Sequence, residues 1–140
     1  MNQMNNTGIT AITGEALETM WSQVYAILNK VVTDAGESMP ELYEDLMEQR
    51  ASLVVYVKDG VIEAAVITEV IEIGPKMCLN IRHLAGKDRR NWLHHLPMME
   101  AWAKDQDIDS ILISRGREGW REILKPHGYK LQAIILEKDL

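Results

Sequence analysis

The sequence predicts an α/β fold built on a mixed sheet (α+β), in which an antiparallel meander is followed by a βαβ unit. Three observations predict it. Apolar residues recur at helical spacing between Gly14 and Thr33, an Asp59-Gly60 pair separates two β-branched runs, and a helical stretch near Trp92 leads into the short apolar run around Ile111. With 140 residues, the chain has room for one domain that buries roughly 68–70% of its unfolded surface. Hydrophobic residues at 46% and charged residues at 26% exclude wholesale disorder, a collagen-like repeat and a disulfide scaffold.

Residues 1–13 read as a flexible or edge-strand lead and residues 14–140 as one domain. From Gly14 to Thr33 the apolar positions Leu17, Met20, Trp21, Val24, Ile27, Leu28 and Val31 follow the i, i+3, i+4, i+7 pattern of an amphipathic helix, with Thr13 as its N-cap. Gly36 ends it. Ser38 and Glu41 around Pro40 form a capping-box signal for a second, shorter helix through about Gln49. Ser52 to Lys58 and Val61 to Ile73 are strands joined by Asp59-Gly60, a pair suited to a type I′ hairpin turn because both positions tolerate positive φ. The second run is apolar at both parities, so its sheet is covered on both faces. A turn at Gly74-Pro75-Lys76 leads into a third strand, Met77 to Leu84.

After Gly86 the period returns to that of a helix, with Trp92, Leu93, Leu96, Met99 and Ala103 on one side and an end near Gln106. Pro97 inside it predicts a kink, because proline removes a backbone donor. Asp109 to Ser114 is a short buried strand, parallel to the third by a right-handed crossover. Gly119 to Lys125 is a helix stopped by Pro126 and Gly128, and Tyr129 to Lys138 is predicted as the last strand.

Charge divides the chain. Residues 1–74 carry 12 acidic against 3 basic side chains, and residues 75–140 carry 9 against 12. The basic residues gather at Arg82, Lys87, Arg89 and Arg90 with His83, His94 and His95, and again at Arg115, Arg117, Arg121, Lys125 and Lys130 with His127. Brought together, they would make a phosphate-sized pocket; apart, they are solvated faces. A net charge of −6 argues against nucleic acid as a partner. No apolar run reaches membrane-spanning length and no secretory leader is evident, so a cytoplasmic protein is expected. Lone Cys78 suits a reducing compartment and is read as a core residue. No Walker loop, HExxH or CxxC is present, and His94 and His95, adjacent on one helix, cannot act as a metal pair, so no metal is expected.

The order of helices and strands resembles that of the GNAT N-acetyltransferase superfamily over residues 14–138. The segment from Arg121 through His127, Gly128 and Tyr129 into an apolar run is similar to the ending of that fold, in which a helix is followed by Gly-Phe or Gly-Tyr. The strand Ile111 to Ser114 with Arg115, and the Gly119-Trp120 pair, also resemble small GNAT-like proteins encoded by tailed phages. The resemblance implies acetyl-CoA as cofactor, held between splayed strands Met77–Leu84 and Asp109–Ser114. It puts cofactor contacts at Leu84, Gly86, Lys87, Arg89, Arg90, Asn91 and Arg117.

This chain departs from the pattern at four places. The usual Arg/Gln-x-x-Gly-x-Gly/Ala loop, begun at Arg82, has Ala85 and Lys87 at its two small-residue positions, with a single glycine at Gly86. The tyrosine expected four residues before the Gly-Tyr pair is Leu124, and the third strand carries no carboxylate. The remaining catalytic candidates are His83, whose intrinsic pKa suits a base, and Glu69 and Glu72 on the preceding strand, acting through water. Trp120 stands where small residues would flank the cofactor arm. Two functions follow. One is an acetyltransferase acting on a small-molecule or peptide amine, drawn in by the acidic first half. The other is a GNAT-fold phage protein without turnover, working with phage structural or host proteins in the host cytoplasm or the virion.

Overall fold

The computed structural model describes residues 8–87, 93–114, 118–133 and 135–140. In chain order the elements are β1 (Gly8–Ile12), α1 (Gly14–Asp34), α2 (Met39–Met47), β2 (Ser52–Lys58), β3 (Val61–Ile73), β4 (Lys76–Gly86), α3 (Leu96–Asp105), β5 (Ser110–Ile113) and α4 (Glu118–Leu124), the last continued by a 3-10 turn, Lys125–His127. Among the described residues the strands form one sheet in the order β1-β2-β3-β4-β5, antiparallel throughout except for the parallel β4-β5 pair. The predicted mixed sheet is present. No described helix is long and apolar enough to cross a membrane.

Both faces of the sheet are covered, as the unbroken apolar run of β3 requires. On one face Leu17, Val24, Leu28 and Val32 of α1 and Leu42 and Leu46 of α2 pack on Leu53, Val55, Val57, Ala65 and Ile67. On the other, Leu96 and Met99 of α3 and Leu124 of α4 pack on Val66 and Ile81. Val66 and Ile67 are sequence neighbours on opposite faces, which is the period-two alternation of a strand.

Asp59 and Gly60 turn the β2-β3 hairpin with φ of 53° and 79°, as their pairing predicts. Ser38 caps α2, its Oγ accepting from the Glu41 amide at 3.3 Å. Thr13 is extended, as an N-cap is, but its hydroxyl makes no capping bond. Pro97 does not kink α3. The helix begins one residue earlier, at Leu96, so the proline occupies the first turn, where its missing donor has no intrahelical partner to lose.

The largest departure is at the C-terminal end. No strand forms among the described residues of 129–138. Tyr129 is held, its amide donating to Leu124 O at 3.3 Å and its hydroxyl to Glu100 Oε2 at 2.8 Å. Beyond it the described chain is exposed.

Candidate active site

Three local devices bring the site together. The first is the end of α1. Gly36 takes φ of 77°, its amide donates to Thr33 O and the Glu37 amide to Val32 O, closing a Schellman motif that turns the chain sharply and sets Glu37 over the sheet. α2 ends the same way, with Gln49 at φ of 62° and the Arg50 amide donating to Asp45 O.

The second device is a β-bulge in β4. Ile67 faces His83 and Thr68 faces Ile81, leaving Arg82 as an extra residue without a cross-strand partner on β3. Regular alternation would send Arg82 and His83 to opposite faces. The bulge cancels one step of the pleat, and both side chains reach Glu37.

The third is the parallel ladder itself. It is clamped at one end, where the Asp109 amide donates to Met77 O at 2.8 Å and the Asp109 carboxylate accepts from the Met77 amide at 2.9 Å. Pairing runs from Cys78–Ser110 to Ile81–Ile113 and stops, while β4 continues to Gly86. The bulge lies immediately past the last pair. Beside residues 82–86 of β4 no further strand lies on the β5 side among the described residues, and this place, where β4 outruns β5, is the fork.

Arg82 is the centre of the charge network. Its guanidinium donates from Nε to Glu37 Oε1 at 2.9 Å and from Nη1 to Asp45 Oδ2 at 3.1 Å, pairs closely with Glu37 through Nη2, and lies 3.9 Å from Glu69 Oε2. The side chains of Arg82, Glu37 and Asp45 are mostly buried, while Glu69 opens further toward solvent. Burial alone would raise the Glu37 and Asp45 pKa values. The hydrogen bonds override it, from Arg82 to Glu37, with His83 close by, and from Arg50 and Arg82 to Asp45, holding both carboxyls below their ordinary values. Burial likewise pulls against the Arg82 charge, and the bonds to Glu37 and Asp45 raise its pKa in spite of it.

His83 is 3% exposed. Its Nε2 lies 3.1 Å from Glu37 Oε1, but outside hydrogen-bonding geometry, so neither ring nitrogen has a well-directed partner among the described residues. Asn80 shares this neighbourhood: Nδ2 donates to Glu69 Oε1 at 2.9 Å, and its buried Oδ1 has no partner among the described residues. Orphaned polar atoms at the edge of an acidic cluster are where bound water or a polar ligand atom is needed.

The sequence candidates therefore separate. His83 and Glu69 are brought together with Arg82. Glu72 is not: it is exposed and faces Met77 near the clamped end of the ladder, four residues from Ile81 and so about 13 Å along the strand. Arg82 is no free anion ligand, because it is neutralised by carboxylates of the acidic half. Leu84 faces the α3-α4 cluster, Lys87 is exposed and donates its amide to Glu63 O at 3.0 Å, and Cys78 is buried beside the Ser110 hydroxyl. Gly86 is required by β3: a Cβ there would stand 2.7 Å from both Ala64 Cβ and Glu63 O. Arg89, Arg90, Asn91, Arg115 and Arg117 lie outside the described residues. Trp120 packs in the cluster that includes Leu84 and Ile113, one from each arm of the fork. Sequence reasoning missed Glu37 and Asp45; the only trace of them was the acidic excess of the first half.

No protein-family model matches the sequence, and no curated protein matches it. Solved structures do match. An aminoglycoside acetyltransferase from an uncultured soil metagenomic sample, in complex with trehalose, superposes with a TM-score of 0.66 at 13% identity, covering 94% of this chain and 95% of that one. A predicted acetyltransferase with acetyl-CoA from Clostridium acetobutylicum gives 0.65 at 15%, covering 94% and 96%. A ribosomal-protein-alanine N-acetyltransferase from Brucella melitensis gives 0.66 at 12%, covering 94% and 99%. At these identities the likeness is one of fold, and that fold is the acetyltransferase fold.

Proposed function

We propose that this chain, which has the GNAT acetyltransferase fold, is an acyl-CoA-dependent N-acyltransferase acting on a cationic amine. The observation that carries the proposal is the fork: β4 runs on past the last β4-β5 pair at Ile81–Ile113, with its bulge immediately beyond that pair. An exposed strand edge offers alternating amide donors and carbonyl acceptors, the partners an amide-bearing pantetheine arm requires. Residues 82–86 of β4 would hold that arm. Acyl-CoA, when bound, supplies the activated acyl thioester. Gly86 does not fit as a phosphate cradle, since the space a side chain would fill is taken by β3. Phosphate contacts would fall to Lys87 and to Arg89, Arg90, Asn91 and Arg117.

The carboxylates of Glu37, Asp45 and Glu69 face one guanidinium, Arg82, with exposed Arg50 on Asp45. Their excess negative charge favours an ammonium group nearby. Glu69 is the most accessible of the three, at 29% side-chain exposure, and takes the proton that the amine must lose before it can attack. His83, sealed from solvent, is a positioning residue for Glu37. Leu124 is buried and apolar and donates no proton.

That last feature favours a second reading, a protein of this fold that binds without turnover. Thermal melting with CoA or acetyl-CoA, followed by acetylation assays on a polyamine and peptide panel, tests both. Ligand at one hundred times its Kd adds about 2.7 kcal/mol, which raises the melting temperature by several degrees. Acetylation that falls in Arg89→Ala, Arg90→Ala and Glu69→Gln supports the enzyme. A shift without turnover leaves the binding protein, and no shift at millimolar CoA overturns both.

A further inference from the structure

We propose that Asn80 receives the acceptor's ammonium group, its Oδ1 taking one N–H while Glu69 beside it takes another, so that this site selects cations bearing at least two N–H bonds over quaternary ammonium ions of equal charge. Glu69 enters here as the base of the proposed function, on which this assignment rests. Asn80 is 4% exposed and stands on β4 one residue before the last β4-β5 pair. Its cross-strand partner on β3 is Glu69. The two side chains are joined, Asn80 Nδ2 donating to Glu69 Oε1 at 2.9 Å.

That bond uses only half of the amide. Asn80 Oδ1 is buried and has no partner among the described residues. Polar atoms are seldom buried with their bonds unmade, and asparagine is a poor strand former, so neither the sheet nor the core calls for it at this position. What Oδ1 lacks is a donor. Glu69 is the way in, since its side chain is partly exposed and its Oε2 lies 3.9 Å from Arg82 Nη1, beyond hydrogen-bonding distance. Arg82 itself is engaged by Glu37 and Asp45.

An ammonium ion between Asn80 Oδ1 and Glu69 Oε2 supplies the missing donor. Because Asn80 Nδ2 already occupies Glu69 Oε1, the proton passes from the nitrogen to Oε2, which turns the carboxylate into a carboxylic acid and frees the lone pair of the amine. A second N–H stays on Asn80 Oδ1 and holds the neutral nitrogen where it formed. The charge of the cluster attracts any cation, quaternary ions included. An amide oxygen accepts only where an N–H is offered, and that requirement tells the two kinds of cation apart.

Binding measured without acyl-CoA tests this contact whether or not the chain acetylates. Cadaverine and its bis-trimethylammonium counterpart, equal in charge, are titrated into the isotope-labelled full chain and followed by nuclear magnetic resonance. The Asn80 side-chain amide signals are expected to shift with cadaverine and to stay in place with the quaternary ion. Asn80→Ala is expected to weaken cadaverine binding about tenfold and to remove the preference between the two. Equal affinities in the unaltered chain overturn the assignment and leave the acidic attraction of the proposed function standing, whereas no cadaverine binding at millimolar concentration overturns both. A preference that survives in Asn80→Ala belongs to Glu69 alone and overturns the assignment as well. Where that variant does not fold, the amide shift in the unaltered chain decides.

Discussion

Arg82 Nη1 donates to Asp45 Oδ2 at 3.1 Å, tying the bulge of β4 to α2, 37 residues earlier in the chain. That bond and the paired contacts to Glu37 cross from the sheet to the helical layer. Removing the cation leaves Glu37, Asp45 and Glu69 facing one another in a partly buried site. Arg82→Met is therefore expected to cost about 2–4 kcal/mol, somewhat below the cost of breaking a fully buried pair. Urea unfolding checks it. Arg82→Lys, which keeps the charge but loses the fork of donors, should fall between.

The same cluster sets the acid limit of stability. Glu37 and Asp45 titrate below their ordinary values of 4.5 and 3.8 in the folded protein. The native state therefore binds fewer protons than the unfolded chain in this range. Their contribution is present in full above the ordinary values and is lost as pH falls through the folded ones. Melting temperature should be flat on this account above about pH 5 and decline below it. Glu37→Gln should make that decline shallower.

Gly86→Ala is expected to destabilise by about 1–3 kcal/mol, because the new methyl meets Ala64 Cβ and Glu63 O at 2.7 Å and backbone must move. The loss should appear in urea without any ligand. An unchanged unfolding midpoint would return Gly86 to a purely ligand-facing role.

Gln49 stands at φ of 62°, the left-handed position of the motif that ends α2. Gln49→Gly removes the Cβ strain while keeping the Arg50-to-Asp45 turn, and should stabilise by about 0.5–1 kcal/mol in the same assay.

Tyr129→Phe removes the hydroxyl that Glu100 accepts and should cost about 1 kcal/mol. In the native protein burial, aided by Glu100, pushes the Tyr129 pKa upward. Its contribution is therefore present in full below the ordinary value of 10.0 and is lost as pH rises from there toward the folded value. The substitution should flatten that alkaline decline.

Local order was readable from residues because its causes are local. The apolar spacing of α1, Ser38 before α2, Asp59-Gly60 and the β-branched runs of β2 and β3 each act within a few positions, and the elements lie where those signals put them. Gly36 showed where α1 ends. The same left-handed stop at Gln49 and at Asp107 after α3 has no glycine to show it.

Tertiary structure decided what depends on register and distance. One extra residue in β4 turns Arg82 and His83 to the same face, and no composition pattern marks a bulge in an apolar strand. That single step made one member of the basic group into the partner of Glu37 and Asp45, while the β3-β4 register put Glu69 beside Asn80 and Glu72 far along the strand. Strand character in the tail was equally legible, but pairing needs a partner edge in reach, and Tyr129 onward finds none within its own described chain. Propensity acts on each residue separately, whereas a ladder or a charge cluster exists only where distant segments meet.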